Sequence, residues 1–187
     1  MLDSLHEHYK LNIDRLKSAN NQRDLMFLFL ILSVMLIVVQ SVNIDFLNSI
    51  IINYVKVDKN SLPGNALLLS TFWLTSLVLF IRYSQCCIFI DMQYKYIAML
   101  EAEINKNYPN TKIFLFESEF YKSHNNRFRK MIGFFYKRAF PVSLILIISF
   151  KIVTDFRLHN LPDAYLYLNI AFAAIYVIYL IAYILRK

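Results

Sequence analysis

The chain has 187 residues, 58% of them hydrophobic and 18% charged, with a mean hydropathy of +0.44 and a formal net charge of +7. A water-facing domain of this length carries about a quarter charged residues. Here the apolar residues gather into four long runs separated by polar stretches, a pattern that points to a bilayer and excludes a water-facing fold.

In a soluble protein the positive charge would raise the question of nucleic acid. In a membrane protein it has a plainer cause, because lysine and arginine gather on the cytoplasmic side. Cys86 and Cys87 are adjacent, so neither a disulfide framework nor a zinc-ligand spacing is present. No repeat at a fixed period and no low-complexity tail is seen.

Residues 1–24 are polar but patterned. Leu2, Leu5, Tyr9, Ile13 and Leu16 recur three or four apart, which predicts an amphipathic helix. Ser4 and Glu7 fit a capping box, so the helix is expected to start there. The segment does not read as a signal peptide, since Asp3, Glu7, Asp14 and Asp24 precede the first apolar run. Asn20 and Asn21 are weak breakers, so this helix is expected to feed directly into the first span. His6 and His8 lie two apart and point away from each other on a helix, which disfavours one metal between them.

Residues 25–90 form the first transmembrane hairpin, with spans at about 25–42 and 66–82. About eighteen residues at ~1.5 Å each cover ~27 Å, enough for the hydrocarbon core. Residues 44–52 are apolar but interrupted, and read as a continuation of the span or a short interfacial helix. Lys59 to Asn65, with Pro63-Gly64, is a turn. After Arg82 the pattern stays helical, so the second helix is expected to leave the membrane and run unbroken to about Ile104. On it Ile97, Leu100 and Ile104 share one side, with Lys95, Glu101 and Glu103 elsewhere.

Residues 91–138 are the cytoplasmic segment. Tyr108-Pro109 ends its first helix. Residues 112–125 fit helix and short strand equally. Residues 126–138 look helical, with Lys122 just upstream. From Lys122 to Arg138 there are six basic residues (Lys122, Arg127, Arg129, Lys130, Lys137, Arg138), no acid and several aromatics. Beside a bilayer, such a run is first a contact for anionic lipid, next for a protein partner, and last for nucleic acid. Tyr94 and Tyr96 join these residues as candidates for partner or lipid contact.

Residues 139–187 form the second hairpin, with spans at about 140–154 and 165–185 and a loop from Asp155 to Asp163. Pro141 suits a first helical turn. The class is therefore all-α: a polytopic membrane protein with four transmembrane helices and helical cytoplasmic extensions. Under that plan sixteen of the twenty basic residues fall on the side of both termini and the central segment. The positive-inside rule then puts that side in the cytosol.

Ionisable groups inside spans would signal transport, and none of the thirteen acids falls within one. Ser33, Ser70, Thr71, Thr75, Ser76 and Asn169 are candidate lining residues for an oligomeric pore, or else hydrogen-bonding groups between helices. Arg82 and Lys151, at span ends, are expected to snorkel to the headgroups or to serve as gating charges. No Ser/His/Asp set, phosphate-cradling glycine loop or metal spacing appears, so neither catalytic nor metal-ligating residues nor a cofactor are expected.

Arg82-Tyr83-x-Gln85, then Gln93-Tyr94-Lys95-Tyr96-Ile97 and Leu100-Glu101, with Phe140-Pro141 at the third span, resembles small multi-span membrane proteins of bacterial antiphage loci. Nearest in size and plan is the membrane subunit of Kiwa systems, the KwaA family. Membrane accessory proteins of type VI CRISPR loci and two-span SLATT effectors are similar in plan. The resemblance rests on architecture over the whole chain and implies a four-span inner-membrane subunit, homo-oligomeric with a tetramer favoured. It further implies a cytosolic DNA-binding protein as partner, so that nucleic acid is reached at most indirectly. Two roles follow as expectations: a sensor and scaffold that responds to envelope disturbance and holds a cytosolic effector, or a pore-forming effector that opens the membrane.

Overall fold

The structure, a computed structural model, describes residues 2–42, 49, 65–107, 127–158 and 163–185. All regular structure among them is helical: α1 (Leu2–Val42), α2 (Asn65–Asn105), α3 (Arg127–Phe134), a π turn (Phe135–Ala139), α4 (Phe140–Leu158) and α5 (Asp163–Leu185). Three helices, α1, α2 and α5, are long and apolar enough to cross a membrane. Apart from Ser49, the expected interfacial stretch at 44–52 lies outside the described residues, as do residues 59–64 of the expected turn, residues 112–125, Arg186-Lys187, Lys122, His124 and His159, whereas Asn65, expected in that turn, begins α2.

The two long helices each have 41 residues. At ~1.5 Å per residue each reaches ~60 Å, about twice the thickness of a hydrocarbon core. α1 passes Asn20 and Asn21 without a break, and the Asn20 amide donates back to the Leu16 carbonyl at 3.0 Å. The helix is already formed at Leu2, so Ser4 lies inside it and caps nothing; a cap needs non-helical backbone. α2 ends where the Asn107 backbone N–H donates to the Ile104 carbonyl at 3.0 Å.

Pro141 is the second residue of α4, in its first turn as expected, but no break precedes that turn. α3, the π turn and α4 follow one another without interruption from Arg127 to Leu158. Proline lacks the N–H that would close the preceding turn, and its ring crowds that turn's carbonyl. The wider π turn at Phe135–Ala139 gives the chain room for this. The second correction is at the other end of α4, which continues to Leu158, with α5 beginning at Asp163. The expected loop from Asp155 is therefore four residues shorter at its start.

The chain divides into two compact units. Unit one comprises Met1–Met26 and Arg82–Phe134; unit two comprises Phe27–Ile81 and Phe135–Lys187. In unit one, α1 and α2 run antiparallel. His8 meets Tyr96, Tyr9 meets Glu101, and Leu16 with Ala19 packs on Ile90 and Ile97. A seam of buried and half-buried positions runs through Leu5, Tyr9, Asn12, Leu16, Ala19 and Arg23 on α1 and Tyr83, Cys87, Ile90, Tyr94, Ile97, Glu101 and Ile104 on α2, with Ser84 and Leu100 buried beside it. Spacing along the seam alternates four and three, as in a coiled coil. Glu101, fully buried and paired with Tyr9 across the seam, favours one register, because a slipped pair would leave it without that partner.

In unit two the same spacing recurs at Leu30, Ser33 and Ile37, at Trp73, Ser76 and Phe80, and at Asn169, Ala173, Tyr176, Leu180 and Tyr183. Ser70 pairs with Asn169, Ser76 with Tyr176, and Phe80 stacks near Tyr183, so α2 and α5 run parallel. Phe27 packs edge-on to Phe140 with centroids 4.8 Å apart. A groove between Ile31–Val39 and Phe140–Ile147 continues that contact, so α1 and α4 are parallel too. Outward faces carry Leu28, Phe29, Leu32, Leu146, Ile178 and Leu185, all exposed.

Candidate functional site

The basic and aromatic run is displayed. In α3, Arg127, Phe128, Met131 and Phe134 are exposed, Phe128 at 62%. Arg129 and Lys130 lie on the same helix, and their side chains are outside the described residues. In the π turn, Phe135, Tyr136, Lys137 and Arg138 are all exposed. Tyr136 is anchored, its ring edge-on to Phe27 at 5.1 Å. No acid falls within Arg127–Arg138, so the run itself carries only positive charge. Cations interleaved with exposed rings suit a surface that is both anionic and partly apolar.

Tyr94 and Tyr96 are placed elsewhere. Tyr94 packs against the Leu16, Ala19, Ile90 and Ile97 cluster. Tyr96 shares a hydrogen bond of 2.8 Å with His8 Nε2, and the two rings meet edge-on at 5.9 Å. Both tyrosines make contacts within unit one, Tyr94 half-buried and Tyr96 still exposed. The reason is the seam itself: it rises along α2 through Ile90, Tyr94 and Ile97 and brings these rings against α1.

Glu101 is a further correction. It lies fully buried on the same side as Ile97 and Ile104, not apart from them. Positions four before and three after it share its face, so its burial follows from helix geometry once those neighbours are buried. Tyr9 Oη donates to its Oε1 at 3.1 Å. Nearer the other end of the seam, burial works against the charge of Arg23. The Asp24 carboxylate at 2.8 Å, with Cys87 and Tyr83 across the seam, outweighs it and holds the guanidinium pKa above its ordinary value.

Arg82 is exposed and donates to Gln85 Oε1 at 3.4 Å. Lys151 behaves otherwise. It is 5% exposed, and α4 runs seven residues beyond it to Leu158. It follows Leu144 and Ile148 on the buried face of its helix, so its side chain is enclosed by unit two instead of reaching outward. An ionisable residue enclosed among apolar helices is a functional candidate by default.

The polar interior of unit two is the part that sequence reading resolved least. Ser70 Oγ donates to Asn169 Oδ1 at 2.9 Å, and Ser76 and Tyr176 share a hydrogen bond of 3.2 Å. Ser33 Oγ, Trp73 Nε1 and Asn169 Nδ2 are buried with no hydrogen-bond partner among the described residues. A cavity of about 10 Å³ between Val34, Trp73, Ser76, Ile148 and Tyr176 has room for at most one water. Thr71 and Thr75, by contrast, are on the exposed face of α2. The lining candidates therefore divide: four are inside the bundle and two face outward. The four-three spacing of Asn169, Tyr176 and Tyr183 was the available sequence signal for the buried set.

Comparison with known proteins adds no identity to this geometry: no family model, no curated protein and no solved structure matches the chain.

Proposed function

We propose that the chain is a four-span protein of the bacterial inner membrane, with both termini and residues 91–138 in the cytosol. It acts there as a non-catalytic sensor and scaffold of a homo-oligomeric antiphage assembly and holds a cytosolic, DNA-binding effector. The antiphage role and the nature of the effector follow the resemblance to Kiwa-type membrane subunits. The scaffold role is carried by one observation. The apolar halves of α1 and α2 are each extended by a polar half, and the two extensions pack into a unit with its own core and its own buried polar pair, Tyr9–Glu101. Span-to-span association needs no such unit; a rigid mount for a partner does.

Four spans are supported by α4, which lies along α1 from Phe140 to Ile147 and holds Lys151 inside the bundle. Alkaline phosphatase fused after Asn107 is expected to be inactive, and after Asn60 active; the reverse pattern overturns the orientation. Reversing the displayed cations with Arg127→Glu, Lys137→Glu and Arg138→Glu is expected to abolish crosslinked capture of the cytosolic effector while leaving the protein in the membrane. Undiminished capture removes the scaffold reading.

A pore-forming effector is the second reading, favoured by the outward hydroxyls of Thr71 and Thr75, one turn apart on α2. Loss of membrane potential on activation, abolished by Thr71→Leu with Thr75→Leu, is its expected signature. A potential that stays intact throughout activation removes it.

A further inference from the structure

Beside the seam of unit one lies a groove of about 380 Å³, open on one side, that nothing above assigns. Arg15, Ser18, Ala19 and Gln22 line it from α1, and Gln85, Cys86 and Phe89 from α2. Arg15, Ser18 and Gln22 are three and four apart, a stripe flanking the buried Leu16 and Ala19 and the half-buried Arg23. Among the described residues, Arg15, Ser18 and Gln22 make no side-chain hydrogen bond or ion pair. Gln85 already accepts at Oε1 from Arg82, which leaves its NH₂ as the group to offer.

The lining thus presents one fixed cation and three further donors, and no carboxylate. Such a set recognises an anion with several acceptor oxygens. The rest of the lining is apolar: Ala19, the Cys86 thiol and Phe89, the last exposed at 42%. One turn past Gln22 on α1 stands Leu25, half exposed, the first residue of the apolar run. A soluble anion would have no use for the apolar floor or for the leucine beyond it. An amphiphile uses both.

We propose that this groove binds the headgroup phosphate of an anionic phospholipid, with Arg15 as its charge-assisted donor and Ala19 and Phe89 against the glycerol and upper acyl carbons. The inference rests on the reading of residues from Leu25 onward as membrane-spanning, and not on the orientation or the scaffold role.

Cys86 lines the groove and supplies the probe. The full-length protein, carrying Cys87→Ala so that one thiol reports, is purified in a non-ionic detergent and its maleimide labelling rate measured. Short-chain phosphatidylglycerol at ten times its half-saturating concentration is expected to slow Cys86 labelling about tenfold, as mass action requires. Phosphatidylcholine of the same chain length and inorganic phosphate at equal concentration are expected to leave the rate within about twofold, since neither joins a net anionic head to an apolar body. Arg15→Gln is expected to weaken the phosphatidylglycerol protection by roughly tenfold or more, with the lipid-free rate unchanged. Lys17→Gln, an exposed lysine outside the groove, is expected to have no such effect.

Equal protection by phosphatidylcholine overturns headgroup recognition, and equal protection by inorganic phosphate overturns the lipid as source. No protection by any of the three overturns the site. If Arg15→Gln does not yield folded protein, Ser18→Leu, which fills the groove, replaces it with the same expectation. Carbonate extraction separates the two levels of the argument: release of the protein from membranes defeats the membrane reading, whereas an integral protein without protection defeats the groove alone.

Discussion

The two units use similar seams and differ outside: unit one mixes exposed charges with exposed apolar side chains such as Met92 and Met99, whereas the exposed side chains of unit two's long helices are predominantly apolar. In unit one the seam is Asn12, Leu16, Ala19, Ile90, Ile97 and Glu101, and the outer faces carry Glu7, Lys10, Asp14, Lys17, Lys95 and Glu103. In unit two the seam is Leu30, Ser33, Trp73, Ser76, Asn169, Ala173 and Tyr176, and the outer faces carry Leu28, Leu32, Met35, Val78, Phe150, Ile175 and Ile178. Small and polar side chains inside, with large apolar ones outside, suit helices solvated by lipid, where association comes from close packing and interhelical hydrogen bonds. The contrast teaches that helix pairing and solvent are encoded on different faces. The four-three seam sets the pairing in both units, and only the outer face reports whether water or hydrocarbon surrounds it.

That contrast can be broken most forcefully by truncating one fully buried aliphatic residue in each unit. Ile97→Ala in unit one is expected to cost ~2–5 kcal/mol, the sum of lost transfer and a new cavity. Leu180→Ala in unit two is expected to cost roughly half as much, because the alternative to burial there is already apolar and only packing is lost. Hydrogen exchange of the protein in lipid nanodiscs, read helix by helix, measures both. A larger cost for Leu180→Ala than for Ile97→Ala would mean that unit two is not solvated by hydrocarbon.

Next in size is Tyr9→Phe, which takes from the buried Glu101 carboxyl the hydroxyl that donates to it. Its expected cost is ~1–3 kcal/mol, appropriate to removing the partner of a buried acceptor, read as faster exchange across residues 82–105. Unchanged exchange would show that Glu101 draws its stabilisation from other contacts.

Smallest is Ser70→Ala, which removes the donor to Asn169. Interhelical hydrogen bonds inside a membrane average ~0.6 kcal/mol, so this change is expected to shift exchange in α2 and α5 only slightly. A loss several times larger would assign Ser70 a place in a coupled polar network with the neighbouring buried groups.

Much of the helical plan was legible in the residues. The unbroken passage of α1 through Asn20 and of α2 through Arg82 followed from uninterrupted apolar periodicity without proline or glycine. The display of Arg127, Lys137 and Arg138 followed from a run without acids. What was not legible was which polar side chains are enclosed. Glu101 and Lys151 read as surface or interface groups because their side chains are charged, and a single helix cannot say what faces it. Glu101 meets Tyr9 across 92 positions of sequence, and Asn169 meets Ser70 across 99. The π turn ahead of Pro141 was likewise not legible, because a proline in a first helical turn does not say whether the chain before it is helical.

By itself the amino-acid order determined that the chain is helical, where its apolar runs lie, how far two helices extend beyond them, and where its cations gather. These are properties of local composition and of a fixed helical period, needing no knowledge of neighbours. Tertiary structure alone decided that a glutamate and a lysine are enclosed, that Ser70 and Ser76 pair with groups on a distant helix, and that four donors line the groove beside Cys86. The reason is that desolvation and hydrogen bonding depend on what stands opposite a side chain, and in this molecule the opposite group comes from a distant helix.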